Sequence, residues 1–154
     1  MKARLDYYYA FVYPYLSYNV IFWGSAYDTY INPLIIQHKR TIRTLSDASP
    51  REHTSPLFKK LGLLKLVDIY KFHLMVHMHK ALAKGDYTPQ HNIATRNRDL
   101  AVPTVNYTLR SARRAVSFAG PVEWNNLPRD LRAIEGLKPF KKALKKYFLD
   151  QYGD

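Results

Sequence analysis

The sequence predicts a mainly α fold: one compact helical domain with a small β hairpin or extended segment near residues 100–118. Apolar residues recur at helical spacing over several long stretches, and Gly, Pro and capping residues fall at their ends. Strand-like alternation is brief and confined to the region around Tyr107–Phe118. A length of 154 residues, 47% of them apolar, suits a single domain large enough to bury a core. Two parts of one compact unit are expected: residues 1–85, a helical layer, and residues 86–154, a basic mixed segment ending in an amphipathic helix.

Residues 3–25 read as one helix bent at Pro14, which removes a backbone donor and crowds the preceding turn. Asp28 or Thr29 caps a second helix reaching Leu45, with Leu34, Ile35, His38, Ile42 and Leu45 on one face. Lys39, Arg40 and Arg43 fall largely opposite. Ser46–His53 is a polar loop. Thr54 or Ser55 before Pro56 marks a helix start, and a short helix from Pro56 to Leu61 stops at Gly62. The next helix runs from about Lys65 to Lys84, with Gly85 as a left-handed stop.

Residues 86–106 carry Pro89, Pro103 and several Asn, and read as loop. Tyr107–Leu109 and Ala115–Phe118 are candidate short strands around Arg110–Arg114. Gly120-Pro121 opens a short helix that ends at Leu127-Pro128, with Trp124 turned into the core and Asn125 tying the exit through its amide. The last helix spans about Leu137 to Asp150. Leu137, Phe140, Leu144, Tyr147 and Phe148 form its apolar stripe.

The chain carries 24 Lys and Arg against 12 Asp and Glu, a net charge of +12. Residues 1–50 hold +2 of this; residues 51–100 and 101–154 hold +5 each. Such a field favours polyanions, nucleic acid before an acidic membrane surface. No cysteine is present, so disulfides, thiolate metal sites and cysteine nucleophiles are excluded. That composition fits an intracellular protein of nucleus or cytoplasm. The uncharged run Tyr7–Tyr27 holds seven Tyr with Pro14, Ser17, Asn19 and Gly24, too many polar groups for a membrane span. No secretory leader is expected, because no aliphatic core precedes a small-residue cleavage site.

No motif for catalysis emerges. His73 and His77 stand four apart, a spacing that suits zinc, but His79 points elsewhere and no acid sits beside His73. They read as satisfied core or surface histidines. The six glycines are scattered, no glycine-flanked serine occurs, and no two aspartates are adjacent. A polymerase or nuclease needs clustered carboxylates to hold divalent ions. No catalytic residue, metal or cofactor is therefore assigned.

Basic residues interleaved with aromatics are the stronger signal. Arg110, Arg113 and Arg114 lie between Tyr107 and Phe118. Cations neutralise phosphates and exposed rings stack on unpaired bases, while buried rings beside solvated arginines fit the same pattern. Lys138, Lys141, Lys142, Lys145 and Lys146 form a stripe on the last helix. That stripe is compatible with phosphate contact, an acidic lipid surface or a plain solvent face. With Lys39, Arg40 and Arg43 these residues make up the candidate nucleic-acid-binding set. The Tyr-rich segment 3–25 is a second candidate surface, for self-association.

Four segments, in order, carry a family resemblance. They are Tyr13-Pro14-Tyr15-Leu16-Ser17-Tyr18 with Trp23-Gly24-Ser25-Ala26-Tyr27; Gln37-His38-Lys39-Arg40-Thr41-Ile42-Arg43; His53 to Leu66; and His91 to Arg96 with Gly120 to Pro128 and the helix around Phe140-Lys141. Together they resemble the C-terminal region of reverse transcriptases from animal non-LTR retrotransposons of the LINE or jockey-like group. The match spans about residues 5 to 150. In that family the palm, with its catalytic aspartates, lies upstream. The resemblance therefore implies thumb-like helices and a basic tail, contact with RNA template, primer duplex or target DNA, and the upstream palm as a partner. It transfers no catalytic residue.

Overall fold

Pro14 decides how the N-terminal segment folds. In the computed structural model, which describes residues 2–87, 101–104 and 112–153, the single helix expected over 3–25 is divided. It comprises α1 (Lys2–Tyr7), a π-helical turn (Tyr8–Val12), α2 (Tyr13–Ser17) and α3 (Val20–Trp23). Pro14 lacks an N–H and its ring crowds the carbonyl four residues back. The widened turn relieves that crowding, and the Tyr13 N–H closes it on the Tyr8 carbonyl. A second break follows at Tyr18, which is extended (ψ 115°), and Asn19, which is left-handed (φ 49°). Asn is one of the few residues that tolerates this conformation. The Trp23 indole N–H donates to the Tyr18 carbonyl at 2.7 Å and holds the corner.

The next elements are α4 (Asp28–Leu45), α5 (Thr54–Leu61) and α6 (Leu66–Lys84). Tyr27, with no side-chain cap bond, holds the cap position of α4, and Asp28 lies inside its first turn. Ile31, His38, Ile42 and Leu45 form the buried face of α4. Leu34, expected on that face, is 41% exposed. α5 starts two residues earlier than expected, at Thr54, because Pro56 fits within a first turn whose N–H groups need no intrahelical partner. Gly62 and Gly85 stop their helices at φ +63° and +80°, in the left-handed region that favours glycine.

After a 3-10 turn (Ala112–Arg114) come α7 (Val116–Asn125), α8 (Arg129–Arg132) and α9 (Leu137–Asp150). The fold is mainly α, and no strand occurs among the described residues. The strand expected at Ala115–Phe118 is instead the start of α7. The N–H groups of Phe118 and Ala119 both donate to the Ala115 carbonyl, each at 2.9 Å, and close the helix's first turn. The other expected strand, Tyr107–Leu109, lies outside the described residues. Gly120-Pro121 consequently sits inside α7 and does not open it. Residues 129–132, unassigned from sequence, form the single turn α8 after Pro128.

Contacts divide the chain into two compact units, Met1–Tyr70 with Lys145–Asp154, and Lys71–Leu144. The core of the first unit gathers Tyr8, Ile42, Leu45, Leu57, Phe58, Leu61, Leu63 and Tyr152. In the second unit Leu74, Met75, Met78, Trp124, Phe140 and Leu144 are buried. Trp124 packs on Phe140 at 5.6 Å between centroids, as a core residue. Asn125 ties not its own helix exit but residue 102. Its Oδ1 accepts from the Val102 N–H and its Nδ2 donates to the Val102 carbonyl, both at 2.9 Å.

Gly120 lets α7 approach α6 closely. A Cβ there would stand 2.5 Å from Met78 Sδ, and Met78 is fully buried with little room to swing. Alanine gains up to ~1 kcal/mol in helix propensity, whereas overpacking costs about 1–3 kcal/mol. Gly120→Ala is therefore expected to destabilise the protein by up to about 2 kcal/mol in urea unfolding. The exposed Ser117→Ala on the same helix should change it by less than about 0.5 kcal/mol. An unfolding midpoint raised by Gly120→Ala would contradict the close approach.

Candidate nucleic-acid interface

α9 is built as expected for a two-faced helix. Phe140, Leu144 and Phe148 are buried, Leu137 and Tyr147 half-buried. Lys138, Lys141, Lys142 and Lys146 are exposed, and none of the four forms an ion pair among the described residues. Asp150 is the helix's one acid, at its last position. Lys145 is half-buried and donates from Nζ to the Tyr9 hydroxyl at 3.4 Å.

On α4, Lys39 and Arg40 are exposed and Arg43 is half-buried. Arg43 donates Nε–H to the Glu52 carbonyl at 2.9 Å, which fixes its guanidinium. Arg40 and Arg43 line one open cleft of about 510 Å³ with Thr44, Asp47, Ala48 and Pro50. Lys39 lies apart from that pair. It borders a cleft of about 420 Å³ beside His38, Phe58, Lys65, Asp68 and Tyr152. Arg114 is half-buried within the 3-10 turn, already in contact with neighbours. Arg110 and the side chain of Arg113 lie outside the described residues.

Sequence reasoning missed the polar groups that fix these surfaces. Tyr8 and His38 are both buried and share a hydrogen bond of 2.9 Å. Tyr152, near the end of the chain, accepts from the Lys65 N–H at 2.8 Å and donates to Asp68. The Lys65 ammonium lies 4.1 Å over its ring. Arg4 pairs with Asp47 and also donates to the Leu45 carbonyl at 2.9 Å. Nothing in spacing announces these long-range pairs, since each joins residues from distant elements.

Of the three histidines clustered on α6, His79 holds a structural post. His79 is buried, stacks on Phe140 at 4.4 Å between centroids, and donates Nε2–H to the Ile134 carbonyl at 2.8 Å. His73 is half-buried, and burial, then the Lys141 ammonium, push its pKa below the ordinary value. His77 is exposed. Among the described residues no three His, Asp or Glu side chains gather to hold a metal ion. No helix among them is long and apolar enough to cross a membrane.

Burial lowers the His38 pKa from 6.5 to about 4, because desolvation disfavours the imidazolium. It also raises the Tyr8 hydroxyl's pKa, with the neighbouring Tyr9 and Tyr13 adding to the effect. The unfolded chain thus binds a proton at His38 that the folded chain does not. Stability from His38 is complete above the unfolded value of 6.5 and is lost as pH falls through the window down to 4. At 1.36 kcal/mol per unit the loss approaches ~3 kcal/mol. Urea midpoints between pH 7 and pH 4 should fall for the native protein, and His38→Gln should make that fall shallower, leaving the part that His73, shifted in the same direction, contributes. Parallel profiles for the two proteins would place the titration elsewhere.

Comparison with protein-family models, curated proteins and solved structures finds no match for this chain.

Proposed function

We propose that this chain is a non-catalytic C-terminal portion of a non-LTR retrotransposon RNA-directed DNA polymerase, and that it holds RNA or DNA through the phosphate backbone. The reading places it inside the cell, beside the polymerase palm that the family carries upstream. The observation that carries it is α9: four exposed lysines without ion-pair partners among the described residues, on a helix with a single terminal acid. Unneutralised cations in a row attract a polyanion and release its counterions on binding. Lys39, Arg40 and Arg43 on α4 add to this charge, and the four ordered segments of family resemblance supply the biological setting. No catalytic residue is assigned.

Fluorescence anisotropy with labelled RNA and DNA tests this reading. Affinity should fall steeply with salt, and replacing Lys138, Lys141, Lys142 and Lys146 with Ala should reduce the salt slope by about 3–4. Absence of binding at low salt would overturn the proposal.

A second reading, self-association, draws on the aromatic surface of the N-terminal segment. Tyr15, Tyr18 and Phe22 are 80%, 75% and 70% exposed. Apolar area on this scale favours a partner copy. Sedimentation velocity should then show concentration-dependent dimers that Tyr15→Ser with Phe22→Ser abolishes. A monomer at every concentration would remove this reading.

A further inference from the structure

Tyr7 and Phe11 stand four residues apart at the junction of α1 and the π turn. The two residues are 56% and 61% exposed, and their ring centroids lie 5.0 Å apart at 41°. Beside Tyr7 opens a cleft of about 320 Å³ that is also lined by Val12, Arg40, Thr41, Thr44 and Leu45. It shares Arg40 and Thr44 with the cleft of about 510 Å³ bordered by Arg43. The two clefts adjoin at Arg40 and Thr44 within the first unit and make one groove, with Tyr7 at one end and Arg40 and Arg43 toward the other; Phe11 lines neither cleft but packs its ring against Tyr7 at the groove's edge.

The groove's polar groups sort themselves. Thr41 and Thr44 donate their hydroxyls to the carbonyls of Gln37 and Arg40. The Asp47 carboxylate is taken by Arg4. The Arg40 guanidinium makes no ion pair or hydrogen bond among the described residues, and Arg43 uses only its Nε–H. Recognition in the groove therefore falls to two planar guanidinium forks and the exposed Tyr7 ring, which Phe11 extends at the edge. A buried apolar protein segment would strand the guanidiniums without water or counter-charge. Phosphate matches them bidentately, and a free base face matches the rings.

We propose that this groove takes an unpaired stretch of polynucleotide, with a base laid against Tyr7 and Phe11 and adjoining phosphates on Arg40 and Arg43. The proposal deepens the polyanion reading and rests on it. A duplex keeps its base faces stacked inside, so it meets the arginines alone. The groove thus discriminates between single strand and duplex, while backbone charge does not.

Anisotropy with labelled oligo-dT and a blunt duplex of equal length tests it. Tyr7→Ala and Phe11→Ala should each weaken single-strand binding by about 5- to 100-fold, the range for loss of one stacked base. Both should leave duplex binding within about twofold, as rings away from phosphate add nothing there. Tyr7→Phe should keep single-strand affinity. Arg40→Ala should weaken both ligands and lower the salt slope by about 1. Phe11→Ala keeps the test decisive should Tyr7→Ala fail to fold. Native protein that binds both ligands, with ring variants that change neither or both alike, would overturn the groove and leave the polyanion reading standing. Native protein that binds neither would overturn both. Ring variants that alter only sedimentation would assign the face to a second copy and likewise overturn it.

Discussion

The first unit is organised around one buried polar pair, the hydrogen bond between Tyr8 and His38. Each side chain carries a polar atom that would cost several kcal/mol to bury alone, about 2–7 without a partner. Each supplies the other's partner, so the two must be buried together. Tyr8 also lies nearly parallel to His38, at 5.8 Å and 17°, and His38 meets Phe58 edge-on at 5.0 Å. Phe58 in turn meets Tyr152 at 6.4 Å. This aromatic column joins the π turn, α4, α5 and the chain's C-terminal end within one core. Because Tyr8 is committed inward, its neighbours Tyr7 and Tyr9 are committed outward, 56% and 45% exposed. The core contact thereby sets which rings the surface displays.

The second unit solves a different problem with similar residues. His79 there serves as a flat ring with one donor, stacked on Phe140 and tied to the Ile134 carbonyl. Trp124 meets the same histidine at 6.2 Å. The imidazole fills a slot where an aliphatic side chain would leave that carbonyl unbonded. Lys71 and Glu123 form an ion pair at 3.2 Å that pins α6 to α7 near the Gly120 contact. Both partners are about one-third exposed, so the pair contributes position more than stability. Three histidines in seven residues suggest chemistry to a motif search, yet here packing accounts for His79 and partial burial for His73.

Legibility from sequence follows the range of the interaction concerned. Gly62 and Gly85 announced their helix ends because a left-handed residue is a local requirement. The buried stripe of α9 was legible because helical period alone sorts Phe140, Leu144 and Phe148 from the lysines. The Tyr-rich segment was not, since Tyr suits both core and surface and its period carries little information. Pro14 advertised a bend, but not the hydrogen bond that Tyr8 of the widened turn makes to His38 thirty residues away. Gly120-Pro121 misled for the same reason. As a local signal it reads as a helix start, whereas its role is a close approach to Met78 that only the fold reveals. Of the candidate site, the lysines of α9 and the arginines of α4 were visible as charge. The Tyr7 ring that shares a cleft with Arg40 was not, because inward Tyr8 and outward Tyr7 are adjacent and identical in type.

The two cationic elements differ in what they can do for a bound strand. The α9 lysines are flexible point charges on exposed stems, so they attract a backbone over a range of orientations without fixing one. The α4 groove is more constrained. Arg43 is held by the Glu52 carbonyl, and Asp47, the acid that would otherwise cancel its neighbours, is occupied by Arg4. Removing Arg4 would therefore act at a distance: the freed Asp47 carboxylate would lower the positive potential of a groove whose own residues are intact. Affinity by charge and orientation by rings and guanidinium planes are separable contributions. The ion pair between Arg4 and Asp47 keeps the second from being neutralised by its own lining.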